Sequence, residues 1–449
     1  MFWAAVLVIT QALTVGPAGR YPTIGAALAA ARPGDTIHVA AGVYREKIVV
    51  EVPVVLVGVG RPVIDGGGQG SVVQLRAPAV LSGFEIRSSG RLLDQEDAGI
   101  LVSADSCVIS GNLLEDVLFG IYLKGSDGSR LIGNRVVGKD RALGTRGDGI
   151  RLWNSNGALV EGNVVHRTRD VVIYFSHGLV FRNNVVTDGR YGLHYMYSSD
   201  NRFERNEFAR NDVAAFIMYS SDIVLRGNIF AQASGHSGFG IGLKDADRIE
   251  VAENLIVQNR VGLYLDNSPA ASDAENRVEK NLFAFNDVAL GLLPAVRRNT
   301  FADNSFMANM RDVSVSGGGT ALGNRWAGNR WDGAAAWDAD GDGELDLPYR
   351  VDRLSDDLFA RYPELRLFEL SPAAAALDAL GRFFPLLEPQ PIVVDSTPRP
   401  LAERARMEDL GPEGLRAAPR RSSCRAPLAA VLWSGLAAIS LWGTRRWPL

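Results

Sequence analysis

The chain has 449 residues, with 47 Lys or Arg against 51 Asp or Glu, for a net charge of −4. With no basic excess, nucleic acid is excluded as a partner class. The 48 glycines against only two cysteines, Cys107 and Cys424, exclude a disulfide framework and describe a chain built on turns.

An apolar run from Ala4 to Val15 ends in Gly16, Pro17, Ala18 and Gly19, small residues of the kind found at a cleavage site. Residues 1–19 therefore read as an export signal, and a periplasmic location is expected. Pro22, Thr23 and Ile24 lead into the Ala-rich stretch Ala26 to Ala31, which predicts a short helix capping a solenoid. Strands are predicted next at Thr36 to Val39, Lys47 to Val50 and Val54 to Val57.

A recurring Asn then dominates the pattern, at Asn112, Asn134, Asn163, Asn184, Asn206, Asn228, Asn254 and Asn281. Short apolar strands and Gly, Asn, Asp or Ser turns alternate between them. A period of about 22 residues, with strands too short to close a sheet alone, means stacked coils. The predicted fold is all-β, a right-handed parallel β-helix over residues 20–331. Asn suits its bends, because it tolerates left-handed backbone angles and bonds to backbone groups. Stacked coil on coil, it forms an amide ladder.

Aligning the coils on Gly-apolar-x-apolar-x-x-Ser assigns the faces, since alternate strand residues point to opposite sides. Ile121, Leu123, Ile150, Leu152, Ile241, Leu243, Leu263 and Leu265 point inward. One outward column runs Tyr122, Arg151, Val172, His194, Phe216, Gly242, Tyr264. Its neighbour runs Lys124, Trp153, Tyr174, Met196, Met218, Lys244, Asp266. Columns so aromatic and sulfur-rich mark a ligand or partner surface, unless a loop or the C-terminal segment covers them. Trp153, Tyr174, Phe216 and Lys244 are the expected partner contacts. His194, Met196 and Met218 converge within the patch, and His236, in a longer insertion, is within reach of it. Two thioethers and an imidazole are soft ligands that select Cu(I). His38, His166 and His177 show no such grouping and read as structural.

Beyond the coils, residues 332–400 form an extension with an acidic loop. Asp338, Asp340, Asp342 and Asp346 occupy positions 1, 3, 5 and 9 of a calcium loop, with Gly343 at position 6. Position 12 is Tyr349, so the bidentate Glu is missing and Asp352 is the substitute donor for a structural calcium. Residues 401–425 read as a linker. The apolar segment 426–444, ending in Arg445 and Arg446, reads as a membrane anchor or sorting tail.

Several of these segments resemble the NosD family. They are Tyr191 to Asn201, Phe216 to Ser220 and Gly238 to Asp247, with Asn329 to Asp332, Asp340 to Gly343, Leu347 to Tyr349 and Phe368 to Pro372 in the extension. The resemblance spans about Tyr21 to Pro400. It implies a periplasmic, non-enzymatic accessory protein for maturation of nitrous oxide reductase. Such a protein works with an ABC transporter (ATPase and permease) in copper-site assembly, and contacts copper or a copper carrier protein. The apolar tail departs from the family pattern.

The alternative is a carbohydrate-active β-helix: a polysaccharide lyase, hydrolase or epimerase. Such sites need paired acids or an Arg or Lys base near the sugar. The groove offers Arg151, Lys244 and Asp266 on separated coils, with no close carboxylate pair expected at its centre. A purely structural surface β-helix is the third reading, against which the His and Met cluster argues.

Overall fold

A computed structural model describes residues 12–401, apart from 353–354, 356–357, 360–361, 369–370 and 384–390. Each coil contains three short strands, and each strand pairs in parallel with its counterpart one coil away, giving three ladders. Two ladders join into one sheet through Val213–Arg226 and Phe239–Ala252, strands of 14 residues that run through both. The pairing is that of the predicted right-handed parallel β-helix. The strands are short because a turn must follow every few residues. Left-handed backbone at those turns falls on Gly111, Gly133 and Gly162 in successive coils, and on residues such as Asn183 and Arg205 where glycine is absent.

The first strand, Ala12–Val15, pairs with Thr36–Ala40, so the solenoid starts inside the segment read as an export signal. The predicted cap forms as helix Ile24–Ala30. Thr23, rather than Pro22, caps it by accepting from the Ala26 N–H at 3.1 Å. The Glu46 carboxylate accepts two more free amides of the first turn, from Ile24 at 2.8 Å and Gly25 at 2.9 Å. Ile24 and Ala27 are buried over the open end of the core.

All eight aliphatics assigned to the interior are fully buried. The amide ladder forms as expected and runs further than the eight Asn named above. Asn206 illustrates its wiring. Its Nδ2 donates to Phe181 O at 2.9 Å and Asn228 Oδ1 at 2.9 Å, while its Oδ1 accepts from Asn184 N at 3.0 Å and Nδ2 at 3.1 Å. Each side chain thus joins its own coil to both neighbours and leaves no buried polar atom unpaired. The ladder continues through Asn304 and Asn329 and ends on Asp395 of the extension. A second ladder runs Asn259, Asn286, Asn309 in another bend. Among the described residues only the strands Tyr349–Val351 and Val393–Asp395 pair antiparallel, and these carry Asp395 back onto the last coil.

The expected membrane anchorage is corrected here. Among the described residues no helix is long and apolar enough to cross a membrane. The linker 402–425, with Cys424, and the apolar segment 426–444 lie outside the described residues.

Candidate functional site

Both outward columns form in the expected register. Arg151 faces Val172, Val172 faces His194, and His194 faces Phe216, while Trp153, Tyr174, Met196 and Met218 follow one another alongside. Met196 and Met218 are direct partners on adjacent strands, separated by the strand spacing of about 4.8 Å. His194 stands two residues before Met196 and so shares its face.

One end of the columns is covered rather than open. Tyr122 is 1% exposed and packs with Ala98, Leu118 and Phe119 in a small second core, against which Trp153 leans. The loop before Ala98 closes over it, with Glu96 accepting from the Tyr122 hydroxyl at 3.3 Å and from Lys124 Nζ at 2.7 Å. Arg151 is drawn into the same cover. Its guanidinium lies 5.0 Å from the Tyr122 ring centre and 5.5 Å from that of Trp153, and pairs with Asp148 at 3.5 Å.

The open part is lined by rings. Tyr174 meets His194 edge-on at 5.2 Å, Tyr191 lies 4.8 Å from His194, and Phe216 stacks on Tyr191 at 6.3 Å. At the far end of the columns Phe239 stacks on Tyr264 at 4.4 Å. Lys244 is paired with Asp266 at 3.0 Å. His236 is exposed in the loop before Phe239, where its carbonyl accepts from Arg260.

The structure adds two features. The first is a buried ionic group behind His194. Asp148 and Asp170, both 1% exposed at the side chain, come together around Arg169. This corrects the expectation of no close carboxylate pair. The pair arises because one coil carries Asp170 where its neighbours carry Gly149 and Gly192, and Arg169 pairs with Asp148 at 2.8 Å while lying 3.8 Å from Asp170. Burial pushes the Asp148 carboxyl up to about 6, and the Asp170 charge adds to that. Burial also acts on Asp170, but hydrogen bonds from His194 and Arg190 outweigh it and hold its carboxyl below the usual range. Sequence reasoning missed Asp170 although the signal was present, since an acid stands there in the column that holds Gly149 and Gly192 in the flanking coils.

The second is an exposed aromatic stack on the adjoining turn. Phe175 and Tyr197 stack at 5.2 Å and 8°, and Tyr197 and Tyr219 at 5.2 Å and 13°. All three hold left-handed backbone angles, at positions where flanking coils place Asn154 and Asp245. Bulky residues are rare in that conformation.

In the extension, carboxylate oxygens of Asp338, Asp340 and Asp342 lie within 4.8 Å of one another, a cluster able to coordinate a metal ion. Asp346 is turned to the loop backbone, accepting from Ala339 N at 2.8 Å.

Fold and groove together define a right-handed parallel β-helix protein with an aromatic, sulfur-bearing cleft on one ladder. The chain belongs to the NosD family. Residues 134–335 match the family model described as periplasmic copper-binding protein (NosD), and residues 64–198 match that of a right-handed β-helix region. A relative in Pseudomonas aeruginosa, described as "Probable ABC transporter binding protein NosD", is 30% identical over 85% of this chain and 94% of its own. A protein of the same description in Stutzerimonas stutzeri is 28% identical over 80% of this chain and 85% of its own. Among solved structures, the A-module of the Azotobacter vinelandii mannuronan C-5 epimerase AlgE6 superposes with a TM-score of 0.53 at 15% identity, covering 70% of this chain and 94% of the module. The expectation of a non-enzymatic protein is therefore corrected. The coil framework is shared with a catalytic epimerase, so the fold itself is one that carries catalysis.

Proposed function

We propose that the protein handles Cu(I) at His194, Met196 and Met218, as an accessory to nitrous oxide reductase maturation working with an ABC transporter ATPase and permease and a copper carrier protein. The carrying observation is the register that sets Met196 against Met218, with His194 on the same strand face. Two thioethers and a neutral imidazole suit Cu(I) better than a hard cation. His194 also has a carboxylate partner at 3.3 Å, the support that metal-binding histidines usually receive. His236 is the further donor, reached by movement of its loop. Trp153, Tyr174, Phe216 and Lys244 flank the site as the partner surface.

Competition with a colorimetric Cu(I) chelator tests this. Replacing both Met196 and Met218 by Ala is expected to weaken Cu(I) binding at least tenfold with the fold intact. Unchanged affinity removes these residues from the site.

The acidic loop is assigned a structural calcium at Asp338, Asp340 and Asp342, with Asp346 bracing the turn. Calcium should then raise the melting temperature, chelation should lower it, and an Asp340→Asn variant should respond to neither.

The carboxylate pair favours a second reading, a groove acting on acidic polysaccharides. Asp148 and Asp170 have proton affinities pushed apart, the condition for an acid and base pair. Both are buried, so a sugar would meet His194 and Tyr174 first. Turnover of alginate or polygalacturonate by the purified protein, lost on His194→Ala, supports that reading, and no turnover removes it.

A further inference from the structure

Asp170 occupies a column held by Gly in the coils on either side. At Gly149 a Cβ would lie 2.3 Å from Val165 Cγ1, and at Gly192 2.5 Å from Ala214 O. The chain accommodates Asp170 by slipping the ladder. Asp170 sits opposite Tyr191 while Val172 sits opposite His194, so three residues here face four in the neighbouring strand. Such irregularities re-aim side chains and cluster at functional sites. Here the result is a buried carboxylate that needs donors on every side. Arg190 supplies two, Nε to Oδ1 at 3.0 Å and Nη2 to Oδ2, and the Tyr191 amide a third at 3.2 Å. His194 Nδ1 completes the shell at 3.3 Å from Oδ2.

A carboxylate held by Arg190 can only accept, so Nδ1 must carry the imidazole proton. The electron pair is then on Nε2, 2.9 Å from the Tyr174 hydroxyl, which lies further from Nδ1 at 3.2 Å. With the electron pair on Nε2, the Tyr174 hydroxyl is the donor in that contact.

We propose that Asp170 is a positioning residue that fixes His194 as the Nδ1-protonated tautomer and so presents Nε2 as the donor atom to Cu(I). This rests on the Cu(I) reading of the groove and adds a residue outside the ligand set. Tyr174 occupies Nε2 until the metal arrives.

Two measurements on the full chain test it. Long-range 1H–15N spectra of the metal-free protein report the His194 tautomer. Chelator competition reports Cu(I) affinity for the wild type, Asp170→Asn and Asp170→Ala. The expected results are an Nδ1-protonated His194 in the wild type, loss of that preference in both variants, and affinity lowered about 10- to 100-fold. X-ray absorption should show the nitrogen donor lost and the sulfur donors kept, which a general loosening of the fold would not produce. A wild-type His194 protonated at Nε2 overturns the proposal even if neither variant folds. So does a folded variant that binds Cu(I) as the wild type does. A wild type that binds no Cu(I) but holds the Nδ1 tautomer refutes the copper reading while leaving the Asp170–His194 orientation standing.

Discussion

At the scale of single residues, this protein is held by polar groups whose partners are one coil away. Asn206→Ala deletes two donors and an acceptor with two clients, all in the dry interior of a bend. Leaving such groups unpaired costs about 3 kcal/mol in total, which should appear as a lower denaturation midpoint with little change in circular dichroism. Asp188 is a surface counterpart. Burial alone would raise its carboxyl, but hydrogen bonds from His166 and Arg210 outweigh this and hold it well below the usual range. The unfolded chain therefore takes up the proton first as pH falls. Its stabilisation is complete above the unfolded value, about 3.9, and is lost as pH drops through the lower folded value. The difference in melting temperature between wild type and Asp188→Asn should be present at pH 7 and shrink steadily below about pH 4.

Among the elements, the ends of the stack face the hardest problem, because an open coil exposes both core and ladder groups. The N-terminal end is closed by helix Ile24–Ala30. The C-terminal end is closed by strand Val393–Asp395, whose Asp395 Oδ2 accepts from Asn329 N at 3.1 Å, Asn329 Nδ2 at 2.9 Å and Trp331 Nε1 at 3.1 Å. Asp395→Ala strips three buried donors at once. It should cost about 3 kcal/mol and shift the Trp331 fluorescence in an early, separate unfolding step. A transition that stays single and unshifted would show that the extension does not cap the rod.

At the scale of the whole solenoid, the described coils form a one-dimensional array, in which each coil pairs with its neighbours. Hydrogen exchange should accordingly be slowest in the central coils, around Ile150 to Leu265, and faster toward both ends. Periodicity made most of this architecture legible. A repeat of Asn with alternating apolar residues specifies coil length, the buried face and the ladder, because each depends on local spacing alone. The same alternation placed Met196 against Met218. What spacing could not show was which coils slip, which loops fold back and which charges meet. Tyr122 has the alternation of an exposed residue, yet the loop before Ala98 buries it. Asp170 reads as a lapse in a glycine column, yet a shifted register turns it onto Arg190 and His194. Sequence by itself determined the rod and its two outward columns, since these follow from repeat length and strand alternation. Tertiary structure alone decided the environment of His194, since burial, ion pairing and imidazole orientation arise only when residues from separate coils are stacked within a few ångströms of one another.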